Sequence, residues 1–134
     1  MQFEFILVLK LVKLNSISNM MRQYEAVFIM TPVLSDEQMK ETVNKFEQFM
    51  LDNGCEIIHK ENWGMKKLAY PILKKTSGFY QLFEFKADVS FVREFEIQLK
   101  RDERVMRFLT IALDKDAIEY NTRRREQKFS KNNE

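Results

Sequence analysis

Residues 55–86 read CEIIHKENWGMKKLAYPILKKTSGFYQLFEFK, and the fold turns on how this run alternates. Cys55 and Ile57 are odd-numbered, whereas Leu68, Tyr70 and Ile72 are even. Side chains on a strand alternate with period two, so one extra residue must lie between the two sets. Gly64 is the natural place for it, because a bulge there shifts the alternation by one and bends the strand. Pro71 cannot donate to a ladder, which puts this strand at a sheet edge. Lys74 to Gly78 reads as a turn closing on glycine. Phe79 to Lys86, rich in Phe and Tyr, reads as the return arm of a hairpin.

On the N-terminal side, RQYEAVFIMT at 22–31 places Tyr24, Ala26, Phe28 and Met30 on one face and Val27 and Ile29 on the other. Apolar residues on both faces mark an interior strand, which Pro32 closes. Ser35-Asp36-Glu37-Gln38 has the form of a capping box. The helix it opens carries Met39, Val43, Phe46 and Met50 on one stripe and stops at Asn53-Gly54. Beyond the hairpin, Asp88 or Ser90 can cap a second helix, with Val92, Phe95 and Leu99 on its buried side, ending near Arg101. Val105 to Leu113 reads as a last strand.

The order is strand, helix, strand, strand, helix, strand. With right-handed crossovers this is the α+β, ferredoxin-like βαββαβ fold: a four-stranded antiparallel sheet with two helices on one face. Its first and third strands are central and its second and fourth are edges, so Pro71 falls on an edge by both arguments. The domain spans 21–113. Residues 1–20 form a leader or extended N-terminus without stable structure. They have Glu4 but no positive charge before the apolar run, with Lys10 and Lys13 after it, no small-residue cleavage site and too short an apolar run to span a bilayer. Residues 114–134 form a charged C-terminal tail, disordered or folding only on a partner.

At 134 residues, 45% hydrophobic and 31% charged, the chain has room for one modest core, to which 12 Phe contribute. Net charge is only +2, so an argument for a polyanionic partner must rest on where the cations sit. One cysteine and one histidine, Cys55 and His59, allow neither an internal disulfide nor a four-ligand metal site. Scattered glycines give no phosphate loop, and Cys55 and His59 lack an orienting third group. The inventory predicts no catalytic residues, no metal and no cofactor.

Binding is the better prospect. Trp63, Lys66, Lys67 and Tyr70 alternate ring and cation, the combination that neutralises phosphate while offering a face to a base. Arg22 opens the first strand, Arg104 and Arg107 flank the entry of the last, and Arg123, Arg124 and Arg125 mark the tail. Ordinary edge-strand solvation explains the same pattern. A ferredoxin-like small-molecule-binding regulatory domain therefore stays open from the residues alone.

MRQYEAVFI at 21–29, WGMKKLAYPI at 63–72, GFY at 78–80 and DERVMRFL at 102–109 together resemble the bacterial small-subunit ribosomal protein six family, in order and at the right distances. The resemblance implies a non-enzymatic constituent of the small (30S) ribosomal subunit in the cytoplasm, with no membrane and no small-molecule substrate. It implies binding to the central domain of 16S rRNA together with small-subunit ribosomal protein eighteen. Matched to the family's motifs, Arg22, Tyr24, Trp63, Lys66, Lys67, Tyr70, Arg104 and Arg107 would face the RNA; beyond the matched 21–113, the tail with Arg123, Arg124 and Arg125 is expected to meet the partner protein. Met65 departs from the family's W-G-R pattern and leaves Lys66 and Lys67 to hold the phosphates.

Overall fold

The computed structural model describes residues 21–133, so the leader expected over 1–20 lies outside the described residues. The chain runs β1 (Arg22–Met30), α1 (Asp36–Asp52), β2 (Glu56–Ile72), β3 (Lys75–Ala87), α2 (Val89–Arg101), β4 (Val105–Ala112) and α3 (Lys115–Asn132). The strands form one sheet in the order β2-β3-β1-β4, every neighbouring pair antiparallel. This is the ferredoxin-like arrangement, with β1 and β3 inside and β2 and β4 at the edges.

Strict alternation along β1 sends Tyr24, Ala26, Phe28 and Met30 into the core under α1 and α2. Glu25, Val27 and Ile29 are left on the opposite face. Phe83 and Phe85 of β3 join that core, and Phe46 of α1 sits edge-on to Phe28 and to Phe95 of α2, with ring centroids 5.4 and 6.1 Å away. Edge-to-face contacts of this kind add to the burial of large apolar surfaces. α1 starts at the expected capping box: the Ser35 hydroxyl accepts from the Gln38 amide at 3.2 Å, and the Gln38 side chain accepts from the Ser35 amide at 3.0 Å. It stops where Gly54 takes the left-handed conformation. Asp88 caps α2, but its carboxylate accepts from the Ser90 hydroxyl at 2.7 Å instead of from a helix amide.

β2 is the bent edge strand. Its pairing with β3 slips between Asn62 and Gly64, where Gly64 has φ +73°, and again near Ile57 and between Lys67 and Ile72. Pro71 lies in the last of these irregular stretches, where it interrupts no ladder bond. Leu68 is buried and Ile72 half-buried.

Two expectations change. The hairpin turns at Leu73-Lys74, not across Lys74 to Gly78: Ile72 pairs with Lys75, and both turn residues have positive φ, +48° and +62°. A two-residue turn of that handedness matches the twist of the flanking strands, which is why it wins without the usual Asn-Gly. Gly78 instead lies within β3. The tail is also not disordered. Asp114 caps a helix by accepting from the Ala117 amide at 2.7 Å, and that helix, α3, lies on the sheet face opposite α1 and α2. It carries a single buried residue, the polar Asn121, so a search for apolar stripes has nothing to find.

Candidate nucleic-acid interface

From Asn62 to Phe83 the chain has four lysines and no Asp or Glu. These residues run from the body of the sheet out through the far arm of the β2–β3 hairpin and back. The last β1–β3 pair is Met30 with Phe79, so residues 67–77 reach past the body of the sheet. Lys66, Lys67, Tyr70 and Lys74 are exposed on this arm and Lys75 is half-buried.

The bulge at Gly64 organises the base of the arm. Asn62 points to the core side, its amide against Met39 Sδ, and its carbonyl oxygen accepts from the Gly64 amide at 2.8 Å. Trp63 is thereby turned onto the open face of the sheet, stacked on Tyr80 with centroids 6.0 Å apart and planes at 24°. Lys66 Nζ lies 5.1 Å from the indole centroid, a cation–π contact. The indole N–H donates to Glu61 at 2.8 Å, and the His59 ring meets the other Glu61 oxygen at 2.9 Å. The indole bond is the main cause that holds the Glu61 carboxyl below the usual carboxylate range, with His59 helping and burial opposing. Gly64, Tyr80, Ile29 and Arg107 form one row across the four strands, so the exposed Arg107 closes the same end of the open face.

The other expected site residues fall elsewhere. Tyr24 is buried, 6% exposed and stacked on Phe85, so its ring belongs to the core and cannot receive a base. Arg104 is held by Asp102: its Nε and Nη2 donate to the carboxylate at 2.9 and 2.7 Å, its amide at 3.0 Å, and Lys45 adds a fourth bond at 3.0 Å. The Arg104 side chain holds the Asp102 carboxyl well below its usual range, and Asp102 in turn raises the guanidinium. Arg104 therefore ties α2 to β4 and is not a free phosphate contact. Arg22 is exposed but sits seven residues from Ile29 along β1, roughly 23 Å from the arm's row. Arg123 lies 3.5 Å from Glu119, and Arg125 is bound to Glu84 on β3. Sequence reasoning missed Lys74, Lys75 and Tyr80, although the acid-free run from 62 to 83 was there to show the first two.

Catalytic chemistry finds no support. Burial pushes the Cys55 thiol up to about 12, which keeps it protonated, and His59 is bonded to Glu61. Among the described residues no group of three or more His, Cys, Asp or Glu could hold a metal, and no helix is long and apolar enough to cross a membrane.

A ferredoxin-like α+β domain that carries a cationic, aromatic arm, with no metal-holding cluster among the described residues, defines a class, a small α+β protein whose distinctive surface is that arm. The family described as Ribosomal protein S6 matches residues 23–112. Small ribosomal subunit protein bS6 of Phocaeicola vulgatus is 60% identical over 111 residues, covering 83% of this chain and 97% of its own. The protein of that name from Bacteroides thetaiotaomicron is 59% identical over the same shares. The crystal structure of 30S ribosomal protein S6 from Thermotoga maritima is similar in fold, with a TM-score of 0.67 at 24% identity, covering 82% of this chain and 98% of that one. The chain belongs to the ribosomal protein S6 family. It is a structural, non-enzymatic component of the small ribosomal subunit, at work on the cytoplasmic ribosome.

Proposed function

We propose that the β2–β3 arm binds 16S rRNA in its central domain, in concert with small-subunit ribosomal protein eighteen. The observation that carries this reading is the acid-free arm with Lys66, Lys67, Lys74 and Lys75, projecting past the sheet beside the Trp63–Tyr80 stack. Lysines at such an edge exchange counterions for phosphates and set the register of the domain on the RNA. Trp63 and Tyr70, 37% and 67% exposed, offer ring faces to unpaired bases, and Arg107 adds a cation at the sheet end of the arm. Arg22 is a supplementary RNA contact away from the arm, and Arg124 stays with the tail on the partner-protein side. The protein partner suits the open face of β4, where Leu109 and Ile111 are 59% and 46% exposed.

Replacing Lys66, Lys67, Lys74 and Lys75 together by Ala tests the RNA assignment. Affinity for a 16S central-domain fragment should fall, and the slope of log affinity against log salt should become shallower by roughly one for every phosphate that a lysine no longer neutralises. A slope equal to that of the unaltered protein would remove the arm from the interface. Leu109→Ser should weaken co-assembly with protein eighteen while leaving the salt slope for RNA unchanged; equal co-assembly would move the partner off β4.

A further inference from the structure

No acid interrupts the chain from Asn62 to Phe83, yet the residue just before this run is Glu61. A carboxylate beside a surface that meets a polyanion weakens the attraction, so its place there needs a physical reason. His59, Glu61 and Trp63 follow at steps of two along β2. Both Glu61 oxygens are engaged: Oε2 accepts from the Trp63 indole N–H at 2.8 Å, and Oε1 meets the His59 ring at 2.9 Å. Both acid and imidazole are half-buried at the groove between β2 and α3, from which Lys128 attracts the same carboxylate.

Three contacts hold the indole. Its ring is stacked on Tyr80, Lys66 Nζ stands 5.1 Å from its centroid, and its N–H is bound by Glu61. Offset stacking tolerates a range of ring positions, whereas a hydrogen bond to a charged acceptor is both stronger than a neutral one and directional. Glu61 therefore removes the freedom that the stack leaves. With its N–H spent inside the protein, the partly exposed Trp63 has no donor to offer outward, and what remains for a ligand is the ring face.

We propose that Glu61, braced by His59, is a positioning residue for RNA binding: it locks the Trp63 indole in the orientation in which the exposed ring stacks an unpaired base. The proposal rests on the reading that Trp63 faces rRNA. Ordering a mobile side chain at the moment of binding subtracts from affinity, and a ring already fixed avoids that loss. Lys66, close to the same ring, offsets the repulsion between Glu61 and phosphate.

The direction of the effect separates positioning from charge. By charge alone, Glu61→Ala and Glu61→Gln both bind RNA more tightly and to the same extent. By positioning they part, because Gln keeps an oxygen for the indole N–H and Ala does not. The test measures binding of the full chain and its variants to the 16S central-domain fragment, with the fluorescence of Trp63, the only tryptophan, as a second readout. Glu61→Ala should bind about five-fold more weakly than the unaltered chain, and Glu61→Gln at least as tightly as it. Time-resolved anisotropy should show fast local motion of the indole in E61A and not in E61Q. Trp63→Ala should lose about ten-fold at an unchanged salt slope, and Glu61→Ala should cost nothing further in that background.

E61A binding as tightly as E61Q would overturn the positioning role. So would a loss in E61A that persists alongside Trp63→Ala, since the effect would then run through Lys128 and α3. An undiminished affinity in W63A would remove Trp63 from the RNA site and the proposal with it, while the salt slope of the four-lysine variant judges the arm separately. Should Glu61→Ala lower the urea midpoint of the whole domain, Glu61→Thr, a better strand residue too short to reach the indole, takes its place with the same outcomes.

Discussion

A Cβ at position 78 would sit 2.5 Å from Ile29 Cγ2, 2.9 Å from Met106 Cε and 3.0 Å from the Met30 carbonyl oxygen. The two side chains can move, but the backbone oxygen on the neighbouring strand cannot move without breaking the ladder. Gly78 is therefore a close-approach glycine, not a turn glycine, and Gly78→Ala should cost about 1–3 kcal/mol in urea unfolding. Asp102 makes a second prediction at this scale. Its carboxyl is held below the ordinary range in the folded protein, mainly by Arg104, so it stabilises the fold fully above its unfolded pKa of about 4 and loses that contribution as pH falls through the lower folded value. Asp102→Asn should be less stable than the unaltered protein by about 1–3 kcal/mol near neutrality, and the difference should shrink steadily below about pH 4. A gap that stays constant with pH would mean that packing, not charge, gives Asp102 its value.

At the scale of elements, the β2–β3 hairpin combines a permissive edge with a strained tip. Leu73 and Lys74 both adopt left-handed backbone, at roughly 1–2 kcal/mol for each ordinary side chain. Leu73→Asn suits that conformation better and should raise stability by up to about 1 kcal/mol in denaturant unfolding, with no change in RNA affinity. The hairpin was mostly legible in the residues. The parity break between Cys55 and Leu68 pointed to a bulge at Gly64, and Pro71 pointed to an edge, because both depend on local backbone chemistry. The turn was misplaced because glycine is the usual punctuation, and here the twist of the paired strands overrode it. α3 was illegible for a different reason. A helix anchored by Asn121 and Arg125 on sheet carboxylates leaves no hydrophobic period in its own sequence.

For the whole molecule, the sheet separates stability from binding. One face is covered by α1 and α2 over Phe28, Phe46, Phe85 and Phe95, and the other is divided between Glu25 and Glu84 under α3 and the cationic end beside the arm. Phe95 touches Phe46, Phe85 and Phe91, so Phe95→Ala should cost about 3–5 kcal/mol of stability. The four-lysine variant of the arm should unfold within about 0.5 kcal/mol of the unaltered protein, since exposed charges contribute little to stability. Parallel denaturation curves for the two variants read the separation directly, and a large drop in the lysine variant would show that the arm is part of the fold.

The residues by themselves determined the order of the six domain elements, the edge position of β2, the capping box of α1 and the buried stripes. Each of these follows from backbone chemistry or periodicity within a few residues. Only the tertiary structure decided that Tyr24 belongs to the core, that Arg104 answers Asp102, that Trp63 stacks on Tyr80, and that the basic tail is a helix laid on Glu25 and Glu84. A cation looks the same in sequence whether it meets solvent, a phosphate or a carboxylate 41 residues away, and the long-range pairing of the chain settles which of these it meets.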